Sequence, residues 1–152
     1  MTVLDAYAVI ALLREEPAAE QIESILASGP AALTAVGVAE VIDHLVRIVG
    51  ADEEEAVLDL AQLGLLDAIG VDATTGSAAG RLRARRYHRT RSAVSMADCL
   101  AAEAARITDD ALATSDPDLL DLCHAEGIAH LALPAVDGTV WNPPTHSPHH
   151  GN

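Results

Sequence analysis

Short apolar runs alternate along the chain with longer amphipathic stretches. The apolar runs predict five β-strands, at residues 3–5, 31–34, 67–71, 111–114 and 129–131. The stretches between them have helical periodicity and predict seven helices, at residues 7–14, 18–27, 36–49, 53–63, 76–87, 95–107 and 117–125. Such alternation is typical of an α/β fold in which helices cover both faces of a parallel sheet.

Four acidic residues lie where a predicted strand has just ended or where a helix is under way: Asp5, Glu40, Asp98 and Asp116. In an open parallel sheet the carboxyl ends of the strands share one edge, so acids placed there converge on one crevice. Carboxylate oxygens are ligands that suit Mg²⁺ and Mn²⁺. The placement of these acids therefore predicts a divalent-metal site built from distant parts of the chain.

Each of these acids also has a purely structural interpretation. Asp5 and Asp116 could be N-caps, because Asp is among the residues preferred at that position. Ser95 and Asp98 have the spacing of a capping box. Glu40 lies opposite the apolar stripe of its predicted helix, so it could simply face solvent. Both interpretations remain open at the level of the individual residue.

The contexts of the acids resemble the PIN-domain ribonucleases, and within them the VapC toxins of bacterial toxin–antitoxin pairs. The segments that carry the resemblance are VLDAYAVIALL around Asp5, the AEV segment of Glu40, the S-M-A-D segment of Asp98 and LATSDPDLLDL around Asp116. The resemblance covers nearly the whole folded part and implies an α/β/α sandwich with a short, mainly parallel sheet of four to five strands. It also implies that these four acids form the metal site, with Asp118 as a weaker fifth candidate.

The resemblance further implies hydrolysis of RNA phosphodiester bonds with Mg²⁺ or Mn²⁺, leaving 5′-phosphate and 3′-hydroxyl ends. Asp5, Asp98 and Asp116 are the expected ligands, and Glu40 is expected to serve a second metal or to orient the attacking water. A homodimer and a cognate VapB-like antitoxin lying across the active-site groove are also implied. The alternatives are a PIN nuclease with a housekeeping RNA-processing role and a catalytically weak RNA- or partner-binding module. The chain departs from the common pattern at Ala6-Tyr7, since a small hydroxyl residue usually follows the first Asp.

The charge distribution provides a candidate RNA-binding surface. A net charge of −14 should repel nucleic acid overall. The chain has no Lys, however, and six of its nine Arg lie between positions 81 and 91, just before the predicted helix of Asp98. Basic side chains beside a metal pocket could hold phosphates. The candidates are Arg83, Arg85, Arg86, Arg89 and Arg91, and the alternative is a solvated helix face followed by a loop.

Composition predicts one small domain at residues 1–141, followed by a disordered His- and Pro-rich tail at residues 142–152. The chain is 50% hydrophobic but has no Phe, so its core must consist of Leu, Val, Ile and Ala. Cys99 and Cys123 form no zinc-binding spacing and are expected to be small buried residues. No apolar run approaches the roughly 20 residues that span a bilayer, and a cytoplasmic location is expected. The absence of Lys excludes the phosphate-binding lysine of P-loop proteins.

Overall fold

A computed structural model describes residues 1–145 of the protein. The predicted tail lies outside the described residues from position 146 onward. Within the described part the strands are β1 (Thr2–Leu4), β2 (Ala31–Ala32), β3 (Ala111–Thr114) and β4 (His130–Ala132). The helices are α1 (Ala6–Leu13), α2 (Ala19–Ser28), α3 (Ala35–His44), α4 (Glu53–Gln62), α5 (Ala73–Arg86), α6 (Met96–Thr108) and α7 (Pro117–Glu126). No helix in residues 1–145 is long and apolar enough to cross a bilayer.

The four strands form one parallel sheet in the order β2-β1-β3-β4. Strand β1 is central, and its Leu4 pairs with Ala113 of β3. The backbone N–H of Asp5 continues this pairing by donating to the carbonyl of Ala113 at 3.3 Å. The carboxyl ends of β1 and β3 therefore lie side by side at one edge of the sheet. The predicted α/β sandwich with a parallel sheet is confirmed.

The predicted strand at residues 67–71 is wrong, because only one of its residues pairs with the sheet. Ile69 donates its backbone N–H to the carbonyl of Leu33 at 2.8 Å and accepts from the N–H of Ala35 at 2.9 Å. The chain cannot extend this pairing because Asp72 already caps the next helix. Helix α5 consequently begins three residues earlier than the sequence pattern predicts.

The helix predicted at residues 36–49 divides into two parts. Helix α3 ends at His44, and a π-helical segment, Leu45–Val49, continues it. Gly50 ends this segment in the left-handed conformation with φ 82°, which glycine adopts without strain. The N–H of Ala51 then donates to the carbonyl of Leu45 at 2.9 Å. Within this segment Leu45 is buried, whereas about half of the surface of Ile48 and of Val49 is exposed.

Two hydrophobic cores lie on opposite faces of the sheet. Leu4 and Ala113 belong to the core beneath α1 to α4, whereas Val3 and Leu112 belong to the core beneath α5 to α7. This alternation follows from the two-residue period of a strand. The second core also contains Cys99 and Cys123 as free, buried thiols, as the sequence predicts. Both cores consist largely of aliphatic side chains and hold the sheet edge rigid at the candidate site.

Candidate metal site and nucleic-acid surface

Asp5 is the most buried of the predicted acids, with only 6% of its surface exposed. It caps α1, since its Oδ1 accepts from the N–H of Ala8 at 2.8 Å, and its Oδ2 accepts from the hydroxyl of Thr114. Burial raises the pKa of Asp5 to about 7, against the opposing effect of these two hydrogen bonds. Repulsion by Asp98 and Asp116 contributes a smaller part of the same rise. Capping explains one hydrogen bond, but it does not require a carboxyl group to be buried beside two other acids.

Thr114 is a site residue that the sequence analysis missed. It ends β3, is fully buried, and donates its hydroxyl to Asp5. The same hydroxyl oxygen accepts from the backbone N–H of Asp116 at 3.0 Å. Thr114 thereby ties the carboxyl end of β1 to the start of α7. A strand-terminal Thr two residues before an Asp is the local signal that could have indicated this role.

Asp116 caps α7, as one of the two sequence interpretations predicts. Its Oδ1 accepts from the N–H of Asp118 at 2.9 Å, and the contact to the N–H of Leu119 is longer, at 3.5 Å. Burial is the main cause that raises the pKa of Asp116, and repulsion by Asp98 adds to it. Asp116 is therefore both a helix cap and a member of a charged cluster.

Asp118 makes a different contact from the four main candidates. Its Oδ2 accepts from the backbone N–H of Ala93 at 3.0 Å, which fastens the loop before α6 to α7. This carboxylate also repels Asp116 and contributes to the raised pKa of that residue. The contact gives Asp118 a structural role in holding α6 against α7.

Asp98 occupies the first turn of α6 and completes the predicted capping box. Its Oδ2 accepts from the N–H of Ser95 at 2.7 Å, and its own N–H donates to the Ser95 hydroxyl at 3.0 Å. Asp98 is also the acid whose charge raises the pKa of Asp5, Glu40 and Asp116 alike. It therefore lies at the electrostatic centre of the four acids.

Glu40 is half-buried on α3, and its neighbours on the helix do not pair with it. Asp43 instead pairs with Arg47 at 2.9 Å on the exposed side of the helix. Burial raises the pKa of Glu40, and repulsion by Asp98 adds to this effect. Glu40 lines a cleft together with Asp5 and Asp98. The structure thus places Glu40 at the acidic cleft rather than on an open solvent-facing surface.

The four acids form a cluster without forming a ready-made ion site. Asp116 lines a second depression that adjoins the cleft of the other three acids. In the part of the chain that the structure describes, no three His, Cys, Asp or Glu side chains converge tightly enough to hold an ion. The set nevertheless suits Mg²⁺ or Mn²⁺, because it is made of oxygen donors alone and a divalent cation offsets the mutual repulsion that adds to the effect of burial on these pKa values.

Three of the five candidate RNA-binding arginines are engaged within the protein. Arg83 donates to the carbonyl of Val94 at 3.0 Å, and its guanidinium lies over the ring of Tyr87 at 4.2 Å. Arg85 and Arg86 pair with Glu126 at 3.8 and 2.6 Å. A further arginine, Arg106, approaches the same carboxylate at 2.9 Å. These contacts fasten α5 to α6 and α7.

Arg89 and Arg91 differ from the other candidates in position and in contacts. They lie in a tight turn closed by the antiparallel bridge between His88 and Ser92, and both are exposed. Within residues 1–145 neither side chain takes part in an ion pair. Their guanidinium groups are consequently the most accessible of the five to a phosphate.

The fold and its acids together define an α/β domain with a partly buried acidic cluster at the carboxyl edge of a parallel sheet. The PIN domain family matches residues 2–125, and the chain belongs to this family. PIN domains are nucleases, and they generally use divalent metal ions.

Solved structures with a similar fold include FitAcB from Neisseria gonorrhoeae, with a TM-score of 0.63 and 20% identity over 86% of this chain and 96% of that chain. The structure of VapBC2 from Rickettsia felis, bound to a DNA fragment from their promoter, has a TM-score of 0.63 and 16% identity over 86% of this chain and 96% of that chain. The structure of FitAB bound to the IR36 DNA fragment has a TM-score of 0.64 and 19% identity over 86% of this chain and 94% of that chain. At these identities the likeness concerns the fold. No curated protein matches the sequence significantly.

Proposed function

We propose that this protein is a Mg²⁺- or Mn²⁺-dependent endoribonuclease and the toxin of a VapC-like toxin–antitoxin pair. The observation that carries the proposal is the cluster of Asp5, Glu40, Asp98 and Asp116, in which the pKa values of Asp5, Glu40 and Asp116 are raised by burial and mutual repulsion. Membership of the PIN family supports nuclease activity. Likeness to VapBC2 and FitAB supports the toxin assignment and a VapB-like antitoxin as partner.

The four carboxylates have distinct roles in this proposal. Asp5, Asp98 and Asp116 would hold the metal, directly or through water, because Mg²⁺ retains several waters in most protein sites. The ion, when bound, supplies positive charge to the scissile phosphate and lowers the pKa of an attacking water. Glu40 would orient that water and accept its proton, a role that its pKa, raised by burial and by the charge of Asp98, favours. Thr114 positions Asp5 and Asp116 relative to each other through its hydroxyl.

RNA reaches this acidic site through the basic surface of α5 and the turn after it. Arg89 and Arg91 are the proposed phosphate contacts, since they are exposed and lie just before the helix of Asp98. The intramolecular contacts of Arg83, Arg85 and Arg86 would have to be shared or exchanged for those residues to bind RNA. Phosphate contacts of this kind position the strand without reading its sequence.

The decisive experiment measures cleavage of single-stranded RNA by Asp98→Asn and Asp116→Asn in the presence of Mn²⁺. Each variant should lose most of the cleavage rate, and the double variant should lose little more, because the acids act as one unit. Asp52→Asn is the matched control, since Asp52 caps α4 at an exposed position. The products should carry 5′-phosphate and 3′-hydroxyl ends. Wild-type cleavage by Asp98→Asn would reduce Asp98 to a helix cap and remove the main support for the proposal.

The toxin assignment has a separate test in cells. Expression of the wild-type chain should arrest growth, and Asp98→Asn should not. Co-expression of a small DNA-binding protein encoded by an adjacent reading frame should relieve the arrest if that protein is the antitoxin. We further propose that the protein acts in the cytoplasm as a homodimer, which light scattering of the purified chain would test. Cleavage of RNA without growth arrest would favour a housekeeping RNA-processing role instead.

A further inference from the structure

Tyr7 presents an aromatic ring to solvent beside the candidate metal site. It lies in the first turn of α1, two residues after Asp5, and 61% of its surface is exposed. The chain contains only two Tyr, one Trp and no Phe. An aromatic side chain normally contributes to stability by being buried, and Tyr7 is not. Core packing therefore does not explain why this position carries a ring.

The other two aromatic side chains of the protein are engaged by neighbouring groups. The ring of Tyr87 lies beneath the guanidinium of Arg83 at 4.2 Å. Trp141 donates its indole N–H to Asp121 at 2.8 Å and contacts two histidine rings. Tyr7, by contrast, contacts the ring of His44 in a T-shaped arrangement with centroids 6.0 Å apart and planes at 76°.

Tyr7 and His44 are held by packing rather than by side-chain hydrogen bonds. The Nε2 atom of His44 is the one buried side-chain nitrogen or oxygen in residues 1–145 that has no hydrogen-bond partner. The hydroxyl of Tyr7 forms no hydrogen bond within the same range of residues. No side-chain hydrogen bond within these residues therefore engages the ring of Tyr7, and its exposed face is free of polar contacts.

The position of Tyr7 relates it directly to the acids. It lines the cleft of Asp5, Glu40 and Asp98, and it also lines the adjoining depression that contains Asp116. A nucleic-acid strand with a phosphate at these carboxylates would pass the ring that borders both the cleft and the depression. Every nucleobase has a π-face, so an exposed aromatic ring at that point suits stacking irrespective of base identity.

We propose that Tyr7 stacks on an unpaired base next to the scissile phosphate and positions the RNA strand at the acids. This inference rests on the proposed nuclease function and adds a substrate-positioning residue to it. Because stacking requires a base that is free of a partner, Tyr7 would select single-stranded over paired RNA rather than a particular sequence. Its removal should weaken substrate binding and leave the chemical step at saturating RNA largely intact.

The test combines Tyr7 variants with abasic substrates. The variants are Tyr7→Leu, which removes the π-face, Tyr7→Phe, which keeps it, and Ile107→Ala as a control. Ile107 is a similarly exposed apolar residue, at 56%, at the far end of the helix that carries Asp98. The substrate is a short single-stranded oligoribonucleotide that the wild type cleaves in Mn²⁺, together with a series in which each position in turn is abasic.

One abasic position beside the cleavage site should raise the KM of the wild type by about 5- to 150-fold, the range that corresponds to losing one stacked base. Tyr7→Leu should raise KM by a similar factor on the intact oligoribonucleotide, with kcat little changed. The same abasic position should then cause no further loss in Tyr7→Leu. Tyr7→Phe and Ile107→Ala should both behave as wild type.

Two results would overturn the role of Tyr7 and leave the nuclease proposal standing. One is a Tyr7→Leu variant with unchanged KM, and the other is an abasic penalty that is the same in Tyr7→Leu and in wild type. Failure of the nuclease proposal is recognised separately, since the wild type would then cleave no RNA. Binding of the same oligoribonucleotides to Asp98→Asn, measured by fluorescence anisotropy, decides the stacking question without cleavage. Equal affinity of Asp98→Asn and Asp98→Asn/Tyr7→Leu for the intact strand would exclude stacking and assign the ring to a protein contact.

Discussion

Replacing Asp5 with asparagine tests whether the buried carboxylate of the acid cluster opposes folding. In the unfolded chain Asp5 ionises near its ordinary pKa of 3.8, whereas in the fold its pKa is about 7. Between these two values the native state binds more protons than the unfolded state, so the free energy of unfolding falls as pH rises. The loss is complete above the folded pKa. The difference between the two pKa values corresponds to about 4 kcal/mol.

Asparagine has nearly the same shape as aspartate and cannot ionise. Its carbonyl oxygen can accept from the N–H of Ala8 as Asp5 does, and its amide can donate to the hydroxyl oxygen of Thr114, which keeps that contact with the direction of the hydrogen bond reversed. Asp5→Asn should therefore be more stable than wild type at pH 8 in EDTA, by up to about 4 kcal/mol. The difference should shrink as the pH falls and should vanish below about pH 3.8, where the carboxyl group is protonated in the folded and the unfolded chain alike.

Urea denaturation in EDTA between about pH 5 and pH 8 measures this difference directly. Glu40 and Asp116 also have raised pKa values and contribute a slope of the same sign. Asp43 has a pKa below its ordinary 3.8, so its titration lies outside this pH window. Asp52→Asn, at the exposed cap of α4, should follow the wild-type curve. A wild-type stability that rises from pH 5 to pH 7, or an equal slope in Asp5→Asn, would refute the reasoning.

Three further predictions concern the metal, the RNA contacts and the charged contacts of α5. Mn²⁺ at a hundredfold excess over its Kd should stabilise the wild type by about 2.7 kcal/mol but not Asp5→Asn, as thermal melts with and without EDTA will show. Arg89→Ala/Arg91→Ala should reduce the log–log salt slope of single-stranded RNA binding by about 1.4, and an unchanged slope would place RNA elsewhere. Glu126→Gln should destabilise the fold by about 1–2 kcal/mol, because it removes the carboxylate charge with which Arg85, Arg86 and Arg106 all pair. Asp43→Asn is the control for this variant: it removes an exposed pair and should change stability much less than Glu126→Gln in the same urea titration.

The parts of the fold that the sequence predicts are those with local signals. Asp5 and Asp116 follow short apolar runs and precede helical periodicity, so both the strand ends and the caps can be identified from adjacent residues. The capping box at Ser95 and Asp98 is equally local. These signals place the acids at the carboxyl edge of the sheet, because parallel strands bring their ends to one side.

The parts that the sequence does not predict depend on residues far apart in the chain. Arg86 pairs with Glu126 across 40 positions, and no periodic pattern in α5 indicates that contact. The bridge from Thr114 to Asp5 spans 109 positions and depends on the order of strands in the sheet. The helical pattern around Glu40 predicts a solvent-facing side chain. In the fold Glu40 shares a cleft with Asp5 and Asp98, which lie on elements that are distant in sequence.

The central position of β1 determines when the acid cluster can exist during synthesis of the chain. β1 precedes β2, β3 and β4 in the chain, yet it lies between β2 and β3, and its pairing with β3 must close a loop of more than a hundred residues. Contacts of such long range form late, because the entropy of closing the loop opposes them. A nascent chain therefore carries Asp5 and Glu40 before it carries Asp98 and Asp116. The proposed RNA-cleaving site would thus assemble only after β3 and the start of α7 have been synthesised and have folded against β1.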